Sequence, residues 1–380
     1  MARPRKMTLE TLEVSWNNEG SYPVRIVENV FGEGSQALSG LLRTVTGSAA
    51  PKVLIVADQN VVQRVQGLGT AIGRYVQAEN IALAAPPVVI GGGEKIKADG
   101  FQSALRIAQA ALDAKIGAKD VIVALGGGTL FDVAGWAAAQ VRGGVPVVRM
   151  PTTVAAAMDA AFAGTAALDS PVVKDAYQVP SRPAAVVIDP AFFSSVLDGV
   201  WRGGFSEAVR YAAVMDGALM RKIAKGAEAV QARDAAVMKE LVSAVVESRV
   251  NRGTSGFALW SAGRLEAMSG YKLPHGYSVA IGICLDCAYA VEKGYLEEED
   301  QELICRALAD CGALDGLNHS HHLVSQVENL LCGLDAWRLA TGSAASAVPC
   351  GVGKLKIEEE PDREAYRKVI KEFLTASAGE

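Results

Sequence analysis

The sequence has few aromatic residues and few histidines, and it has no long apolar run. The last of these argues against a membrane-spanning protein. Only 6% of the 380 residues are aromatic and four are histidines, whereas half are hydrophobic and 39 are glycines. No run approaches the roughly 18 apolar residues that a membrane-spanning helix needs. No apolar stretch typical of a secretory leader follows the basic start at 1–5. We therefore expect a cytoplasmic protein without a membrane partner.

A strong positive charge is also absent. The formal net charge is −5 and the basic residues are scattered, which argues against a nucleic-acid partner. A small phosphorylated substrate, however, needs only a few local cations. The six cysteines lie mostly in apolar helical contexts, as is typical of reduced thiols in a cytosolic protein. The length suits two ordinary domains.

The stretch 121–169 carries the clearest functional pattern. The apolar run Val121 to Leu125 breaks at Gly126-Gly127-Gly128, and apolar residues at helical spacing follow from Phe131 to Val141. This pattern predicts a buried strand, a tight turn and a helix. Backbone N–H groups can approach a pyrophosphate at such a turn, and the helix N-terminus adds a partial positive charge. A glycine cluster can also be a plain turn.

Polar residues end two other predicted strands. The strand at 145–150 is followed by Pro151-Thr152-Thr153, and the strand at 52–57 ends at Asp58. The carboxyl ends of strands are where open α/β sheets bind ligands, so these side chains are candidates for nucleotide contacts. Each is equally interpretable as the cap of a following helix.

Glu94 and Lys97 lie three residues apart at a predicted helix start, after a short strand predicted at 87–90. This spacing lets both side chains face one ligand. A solvated charge cluster is the alternative interpretation.

Strands and helices alternate over the first 190 residues, which predicts a mostly parallel sheet covered on both faces. The alternation of polar and apolar residues over 10–25 predicts an edge hairpin. The last predicted strand is 184–189. Beyond it the apolar spacing becomes helical. We predict a nucleotide-binding α/β domain over 1–190 and a helical domain over 191–380. The second domain's predicted helices cover 204–220, 235–251, 261–268, 278–293, 298–309 and 324–330.

Six collinear motifs resemble the 3-dehydroquinate synthase family, NAD-dependent sugar phosphate cyclases that include the 2-epi-5-epi-valiolone and 2-deoxy-scyllo-inosose synthases. The resemblance to this family extends from about Val53 to Gly294. The motifs, in chain order, are Gly93-Glu94 with Lys97, Gly126 to Ala139, Arg142-Gly143, Pro151-Thr152-Thr153 with Asp159, Ser206 to Arg210, and Leu273 to Gly282.

The resemblance implies a Rossmann-like N-terminal nucleotide domain, an all-helical C-terminal metal domain, and an active site in the cleft between them. It also implies a homodimer. The implied NAD contacts are Asp58, Glu94, Lys97, Gly127, Gly128, Asp132, Thr152 and Thr153. The implied catalytic and substrate-facing residues are Arg142, Asp159, Lys174, Arg210 and His275. The implied metal ligands are Glu207 and His275.

The family's chemistry explains these residue types. NAD transiently oxidises a ring carbinol, which acidifies the neighbouring C–H so that phosphate is eliminated. The carbonyl is then reduced back, and the opened enol closes in an aldol step. A divalent metal such as zinc or cobalt polarises the hydroxyl and takes imidazole and carboxylate ligands. Cationic side chains hold the phosphate.

The sequence departs from the family motifs at the metal site. Two family histidines fall at Leu259 and Gly263. Because a catalytic zinc normally has three protein ligands, Glu207 and His275 alone predict weak metal binding. Cys284 and Cys287 are best interpreted as core cysteines, with a thiolate ligand as the lesser alternative. The tract His319-Ser320-His321-His322 is best interpreted as a polar loop.

Three functions stay open at this point. We favour a divergent cyclase that converts a seven-carbon sugar phosphate, such as sedoheptulose 7-phosphate, to a cyclitol with loss of phosphate. The loss of basic positions before Phe257 disfavours the carboxylate-bearing substrate of dehydroquinate synthesis. The second is a pseudoenzyme that binds NAD or acts as a partner subunit. The third is a polyol dehydrogenase of the same two-domain plan, against which Glu207 and the motif order argue.

Overall fold

A computed structural model describes residues 21–170, 174–253, 255–315 and 322–377. Seven of its strands form one parallel sheet in the order β1-β9-β6-β5-β2-β3, with β4 also paired to β2, while β7 and β8 form a separate antiparallel hairpin. The strands are β1 (Val24–Ile26), β2 (Lys52–Asp58), β3 (Ala82–Leu83), β4 (Val88–Ile90), β5 (Val121–Gly126), β6 (Val147–Pro151), β7 (Thr165–Leu168), β8 (Tyr177–Pro180) and β9 (Ala185–Ile188).

Helices cover both faces of this sheet, as the alternating pattern predicted. Because successive side chains of a strand point to opposite faces, Val53 and Ile55 pack with α1 and α3, whereas Leu54 and Val56 pack with α4 and α5. The helices of this part are α1 (Ala37–Thr46), α2 (Gln59–Arg64), α3 (Leu68–Ala78), α4 (Gln102–Asp113), α5 (Gly128–Gln140) and α6 (Val154–Met158).

The second part is helical apart from one hairpin, which the apolar spacing did not predict. Strands β10 (Ser346–Pro349) and β11 (Leu355–Glu358) pair antiparallel, so this part is not all-helical. Its helices are α7 (Asp198–Met215), α8 (Gly217–Gln231), α9 (Ala235–Arg252), α10 (Leu259–Met268), α11 (His275–Glu292), α12 (Glu298–Asp310), α13 (Val327–Thr341) and α14 (Arg363–Ser377).

The two parts share one apolar core. A single cluster of buried residues runs from Leu54 and Phe131 beside the sheet to Phe205, Val242 and Ile283 in the helices. The domain boundary at residue 190 therefore stays a prediction.

Residues 10–20 of the predicted edge hairpin at 10–25 lie outside the described part, so the hairpin stays a prediction. Within the described part, Val24 pairs parallel with Val186, and Val24 and Ile26 pack against the apolar core. Among the described residues, no helix is long and apolar enough to span a membrane.

Candidate active site

The glycine turn lies at the carboxyl edge of the sheet, where β5 passes into α5. A Cβ on Gly126 would lie 2.5 Å from Leu130 Cδ2, and one on Gly128 would lie 2.9 Å from Ala160 Cβ, so side chains do not fit at either position. The first N–H groups of a helix lack intrahelical partners, so the start of α5 offers donors at this edge. The contact of this turn with a pyrophosphate stays a prediction.

The two threonines after β6 have different roles. Thr153 Oγ1 accepts a hydrogen bond from Ala156 N at 3.2 Å and so caps α6, which is the bland alternative drawn from the sequence. Thr152 is buried, 1% exposed, and its Oγ1 has no hydrogen-bond partner in the described part of the chain. A buried hydroxyl without a partner is destabilising unless a ligand or water completes it, so Thr152 fits a cofactor at this edge.

Asp58 also serves as a helix cap. Its Oδ1 accepts a hydrogen bond from Asn60 N at 2.7 Å at the start of α2. A Cβ on Gly92 would lie 2.9 Å from both carboxylate oxygens, so the chain after β4 closes tightly over Asp58. The cap is observed, and the contact of Asp58 with a nucleotide ribose stays a prediction.

Lys97 is surrounded by carboxylates. Its side chain is 4% exposed, and Nζ lies 2.5 Å from Asp175, 2.9 Å from Asp132, 3.7 Å from Glu94 and 3.8 Å from Asp169. Burial would lower the pKa of Lys97, but these four carboxylates hold it well above its ordinary value. The solvated-cluster interpretation of Glu94 and Lys97 is therefore wrong for Lys97.

Lys174, just before β8, connects this cluster to the helical part. Its ammonium group forms an ion pair with Glu266 on α10 and lies 3.5 Å from Glu94 Oε1. Glu266 Oε1 in turn lies 2.8 Å from His275 Nδ1. Burial would raise the pKa of Glu266, but His275 and Lys174 lower it to about 2, so Glu266 is ionised at neutral pH.

Glu207 and His275 meet because α7 and α11 approach closely at two glycines. A Cβ on Gly276 would lie 2.2 Å from Gly203 Cα, so only glycine permits this contact. His275 Nε2 consequently lies 3.1 Å from Glu207 Oε1, while Arg210 Nε donates to Glu207 Oε2 at 2.7 Å.

The charges on this pair are strongly coupled. Loss of solvent would lower the pKa of His275, but Glu266 and Glu207 raise it to about 10. Burial would raise the pKa of Glu207, but Arg210 and His275 lower it to about 2. The imidazole is therefore a proton donor at both nitrogens at neutral pH, and 44% of its side chain is exposed.

Two buried arginines converge on Asp159. Arg210 Nη2 donates to Asp159 Oδ1 at 2.9 Å, and Arg249 Nη1 lies 2.9 Å from the same oxygen. The Arg249 guanidinium also lies over the Phe162 ring, 5.5 Å from its centroid. Asp159 thus connects the loop after β6 to helices α7 and α9.

Sequence reasoning did not assign roles to Arg249 and Glu266. The sequence does contain a signal for Arg249, because it continues the buried stripe of α9 through Met238, Val242 and Val245 at helical spacing. Glu266 likewise follows the buried Leu265 on α10. A charged residue on the apolar face of a helix indicates a buried partner.

Arg142 is not brought into this cluster. It is exposed, with a backbone φ of 49°, in the turn after α5. Because α5 begins at the glycine turn and rises about 1.5 Å per residue, its last turn lies near the opposite edge of the sheet. The substrate-facing role of Arg142 stays a prediction.

The donor set does not fit a catalytic metal. Among the described residues, no three His, Cys, Asp or Glu side chains are placed to hold a metal ion. Cys284 and Cys287 lie nine and twelve residues beyond His275 on α11, more than about 13 Å along the helix. The pKa of Cys284 is raised by a hydrogen bond with Cys305 and that of Cys287 by burial, so neither is a thiolate. His319 and His321 lie outside the described residues.

The whole cluster carries an excess of negative charge. The cluster contains four lysines and arginines and seven carboxylates. Each of the four cations is paired with at least one carboxylate. The carboxylates are Glu94, Asp132, Asp159, Asp169, Asp175, Glu207 and Glu266, and the cations are Lys97, Lys174, Arg210 and Arg249.

Comparisons with known proteins agree with this architecture. The family model "3-dehydroquinate synthase N-terminal" matches residues 87–201. The 3-dehydroquinate synthase of Rhodopseudomonas palustris (strain BisB18) is 30% identical over 316 residues, which cover 80% of this chain and 78% of that protein.

Two solved structures share the fold. A 2-epi-5-epi-valiolone synthase from Streptomyces hygroscopicus subsp. jinggangensis 5008, with NAD+ and Zn2+ bound, has a TM-score of 0.83 and 19% identity, covering 96% of this chain and all of that one. A 2-deoxy-scyllo-inosose synthase complexed with carbaglucose-6-phosphate, NAD+ and Co2+ has a TM-score of 0.74 and 17% identity. The match covers 92% of this chain and 96% of that one. With the identity to the Rhodopseudomonas enzyme, these findings show that the chain belongs to the 3-dehydroquinate synthase family of sugar phosphate cyclases.

Proposed function

We propose that this chain is an NAD-dependent cyclase that converts a seven-carbon sugar phosphate, such as sedoheptulose 7-phosphate, to a cyclitol with loss of phosphate. One observation carries the proposal. A continuous set of ion pairs runs from Asp132 at the nucleotide edge to His275 in the helical part, and its members in order are Asp132, Lys97, Glu94, Lys174, Glu266 and His275. A substrate placed over this set would face both the cofactor edge and a proton donor.

The residues at the edge of the sheet fit NAD. The glycine turn offers backbone donors, and the unpaired Thr152 hydroxyl supplies a buried polar contact. Asp58, Glu94, Lys97 and Asp132 line the same edge. NAD, when bound, would accept a hydride from the substrate carbinol and return it later.

The residues of the helical part handle protons. The protonated His275 contacts Glu266 through Nδ1 and Glu207 through Nε2, so a substrate hydroxyl or carbonyl that takes the place of Glu207 at Nε2 would be held and polarised. Arg210 orients Glu207 through the bond to Oε2. Glu266 fixes the His275 ring through Nδ1 and therefore acts as a positioning residue.

The charge balance supports a substrate without a carboxylate. Arg210 and Arg249 are both engaged by Asp159, and Lys174 is engaged by Glu266. A substrate carboxylate would compete with these internal partners and would meet the excess acidic side chains. A ketose phosphate brings only its phosphate, which is released in the reaction.

A second candidate is an NAD-binding pseudoenzyme. It is favoured by the incomplete metal donor set, because the two family histidine positions hold Leu259 and Gly263, neither of which can bind a metal through its side chain. This protein would bind NAD but would not turn over sugar phosphates.

Product analysis separates the candidates. The protein is incubated with NAD+ and sedoheptulose 7-phosphate while released phosphate and NADH absorbance are followed. We expect phosphate release without NADH accumulation, and His275→Ala should abolish it because the proton donor is lost. Stable NADH would indicate a dehydrogenase. Neither signal, with NAD still bound, would indicate the pseudoenzyme, and full activity of a folded His275→Ala variant would remove this residue from the mechanism.

A further inference from the structure

We propose that Cys284, Cys287 and Cys305 form a peroxide-reactive thiol site, in which Cys305 is oxidised first and Cys284 then closes a disulfide between α11 and α12. All three cysteines are reduced in this structure. The inference does not depend on the proposed function, because Cys284 lies nine residues beyond His275 on α11, more than about 13 Å along the helix.

The positions of the three cysteines along their helices bring them to one level. Helices α11 and α12 are joined by the short connection 293–297 and pack against each other, so they run antiparallel. Cys287 and Cys284 lie five and eight residues before the end of α11, and Cys305 lies seven residues after the start of α12. At about 1.5 Å per residue, the level of Cys305 falls between those of the other two.

Side-chain contacts agree with this placement. The Cys305 thiol forms hydrogen bonds with the thiols of both Cys284 and Cys287. Cys284 and Cys287 are buried in the apolar core that joins the two parts, and Cys305 packs against the same core.

The spacing of packed helices also suits a disulfide. Facing Cα atoms on helices about 8–10 Å apart are separated by roughly 3–6 Å, because each Cα lies about 2.3 Å from its helix axis. A disulfide needs Cα atoms about 4.4–6.8 Å apart. A bond between Cys284 and Cys305 therefore requires little movement of the backbone.

Cys305 is the thiol that an oxidant would reach first. It is half-buried, whereas Cys284 and Cys287 are buried. The hydrogen bonds from Cys284 and Cys287 lower the pKa of Cys305 well below its ordinary value. The hydrogen bond with Cys305 raises the pKa of Cys284, and burial raises that of Cys287. Because the thiolate is the reactive form of cysteine, Cys305 is the nucleophile of the three.

The oxidation uses one hydroperoxide for each disulfide. The Cys305 thiolate attacks one peroxide oxygen, the O–O bond breaks, and Cys305 becomes a sulfenic acid while the leaving oxygen takes up a proton. The Cys284 sulfur then attacks the Cys305 sulfur. The S–O bond breaks, the S–S bond forms, and the hydroxide leaves as water with the proton of Cys284. Two electrons pass from the two thiols to the peroxide, and a dithiol reductant reverses the step by exchange.

The experiment treats the reduced full chain with equimolar hydrogen peroxide, counts free thiols after denaturation, and maps cross-links by mass spectrometry of a non-reduced digest. We expect the chain to lose two of its six thiols, to gain a cross-link between Cys284 and Cys305, and to recover both thiols with dithiothreitol. Cys305→Ser should abolish the cross-link. The matched control is Cys332→Ser, since Cys332 is exposed on α13 and its replacement should leave cross-linking unchanged.

Two further variants identify the sulfur that is oxidised first. If Cys305→Ser does not fold, Cys305→Ala tests the same loss with a smaller, apolar side chain. Replacing Cys284 and Cys287 together by alanine should let the sulfenic acid on Cys305 accumulate, where dimedone traps it.

Three results would overturn the inference. They are a native chain that forms no cross-link, a cross-link that persists in the folded Cys305→Ser variant, and dimedone labelling of Cys332 in preference to Cys305. A cross-link from Cys305 to Cys287 would overturn the assignment of Cys284 as the second thiol. Because none of these readouts uses NAD or phosphate release, each leaves the proposed function as it was.

Discussion

At the scale of single residues, Asp286 shows how the helical part is held behind the site. Its carboxylate is fully buried on α11 and accepts hydrogen bonds from Ala258 N at 3.0 Å, Trp260 Nε1 at 2.9 Å and Tyr366 OH at 2.9 Å. These partners belong to the start of α10 and to α14. Asp286 therefore connects α11 to α14 and to α10, the helix that carries Glu266.

Burial raises the pKa of Asp286 to about 7, despite its three donors. The folded state thus keeps a proton that the unfolded chain loses near pH 4. Between about pH 4 and pH 7 the folded state binds more protons, so its stability falls as the pH rises through this window. Below pH 4, where Asp286 is protonated in both states, its contribution to the free energy of unfolding is fully present.

We predict that Asp286→Asn destabilises the protein by about 1–3 kcal/mol at pH 5. An amide nitrogen in place of Oδ2 would face the Ala258 N–H, and two donors cannot bond to each other. The destabilisation should shrink toward pH 8, since only the native chain ionises at this position. Urea unfolding at several pH values measures it. A pH-independent difference between the two proteins would contradict the assigned pKa.

The family resemblance named Glu94, Lys97 and Asp132, and the structure brings these three side chains together around Lys97. Their roles toward a nucleotide stay predictions. Motif spacing could not show that Lys97 has four carboxylate neighbours or that Arg249 reaches Asp159. Such contacts depend on how separate helices and loops pack against one another.

At the scale of elements, the buried Arg149 on β6 holds the loop that carries Asp159. Its guanidinium donates to the carbonyls of Ala160 at 3.1 Å, Ala163 at 2.7 Å and Ser181 at 2.5 Å. The loop after α6 and the end of β8 are therefore fixed to the central sheet. Burial lowers the pKa of Arg149 to about 10, which still leaves it charged at neutral pH.

We predict that Arg149→Met destabilises the protein by about 3 kcal/mol, because it leaves several buried carbonyls without a donor. Arg149→Lys should have a smaller effect, since one ammonium can retain part of the set. Thermal unfolding followed by circular dichroism measures both. Equal stability of the Met variant and the native chain would show that the loop is held by its apolar contacts instead.

The central strand, turn and helix could be predicted almost to the residue. The predicted strand Val121 to Leu125 corresponds to β5 (Val121–Gly126), and the helix predicted from Phe131 corresponds to α5 (Gly128–Gln140). The hairpins could not be predicted, because β7 and β10 are four residues long and are rich in alanine, serine and proline rather than β-branched residues. Their pairing depends on neighbours that local pattern does not show.

At the scale of the whole molecule, ion pairs and apolar packing join the sheet to the helices. Asp159 from the sheet side meets Arg210 and Arg249, and Lys174 meets Glu266. The candidate active site therefore lies between two parts that share one core. The different spacing of apolar residues in the two parts predicted an α/β part and a helical part. The core that they share could not be predicted, because it depends on how the two parts pack against each other.

The most direct measurement of the central claim is calorimetric titration of the full chain with NAD+. We predict about one NAD per chain with roughly micromolar affinity. Asp132→Ala and Thr152→Val should each weaken binding by about tenfold, or about 1.4 kcal/mol, because the first removes a partner of Lys97 and the second removes the unpaired hydroxyl at the sheet edge. The control Thr341→Val, on the exposed end of α13, should leave the affinity unchanged. No NAD binding by the folded native chain, or unchanged affinity in both site variants, would contradict the account.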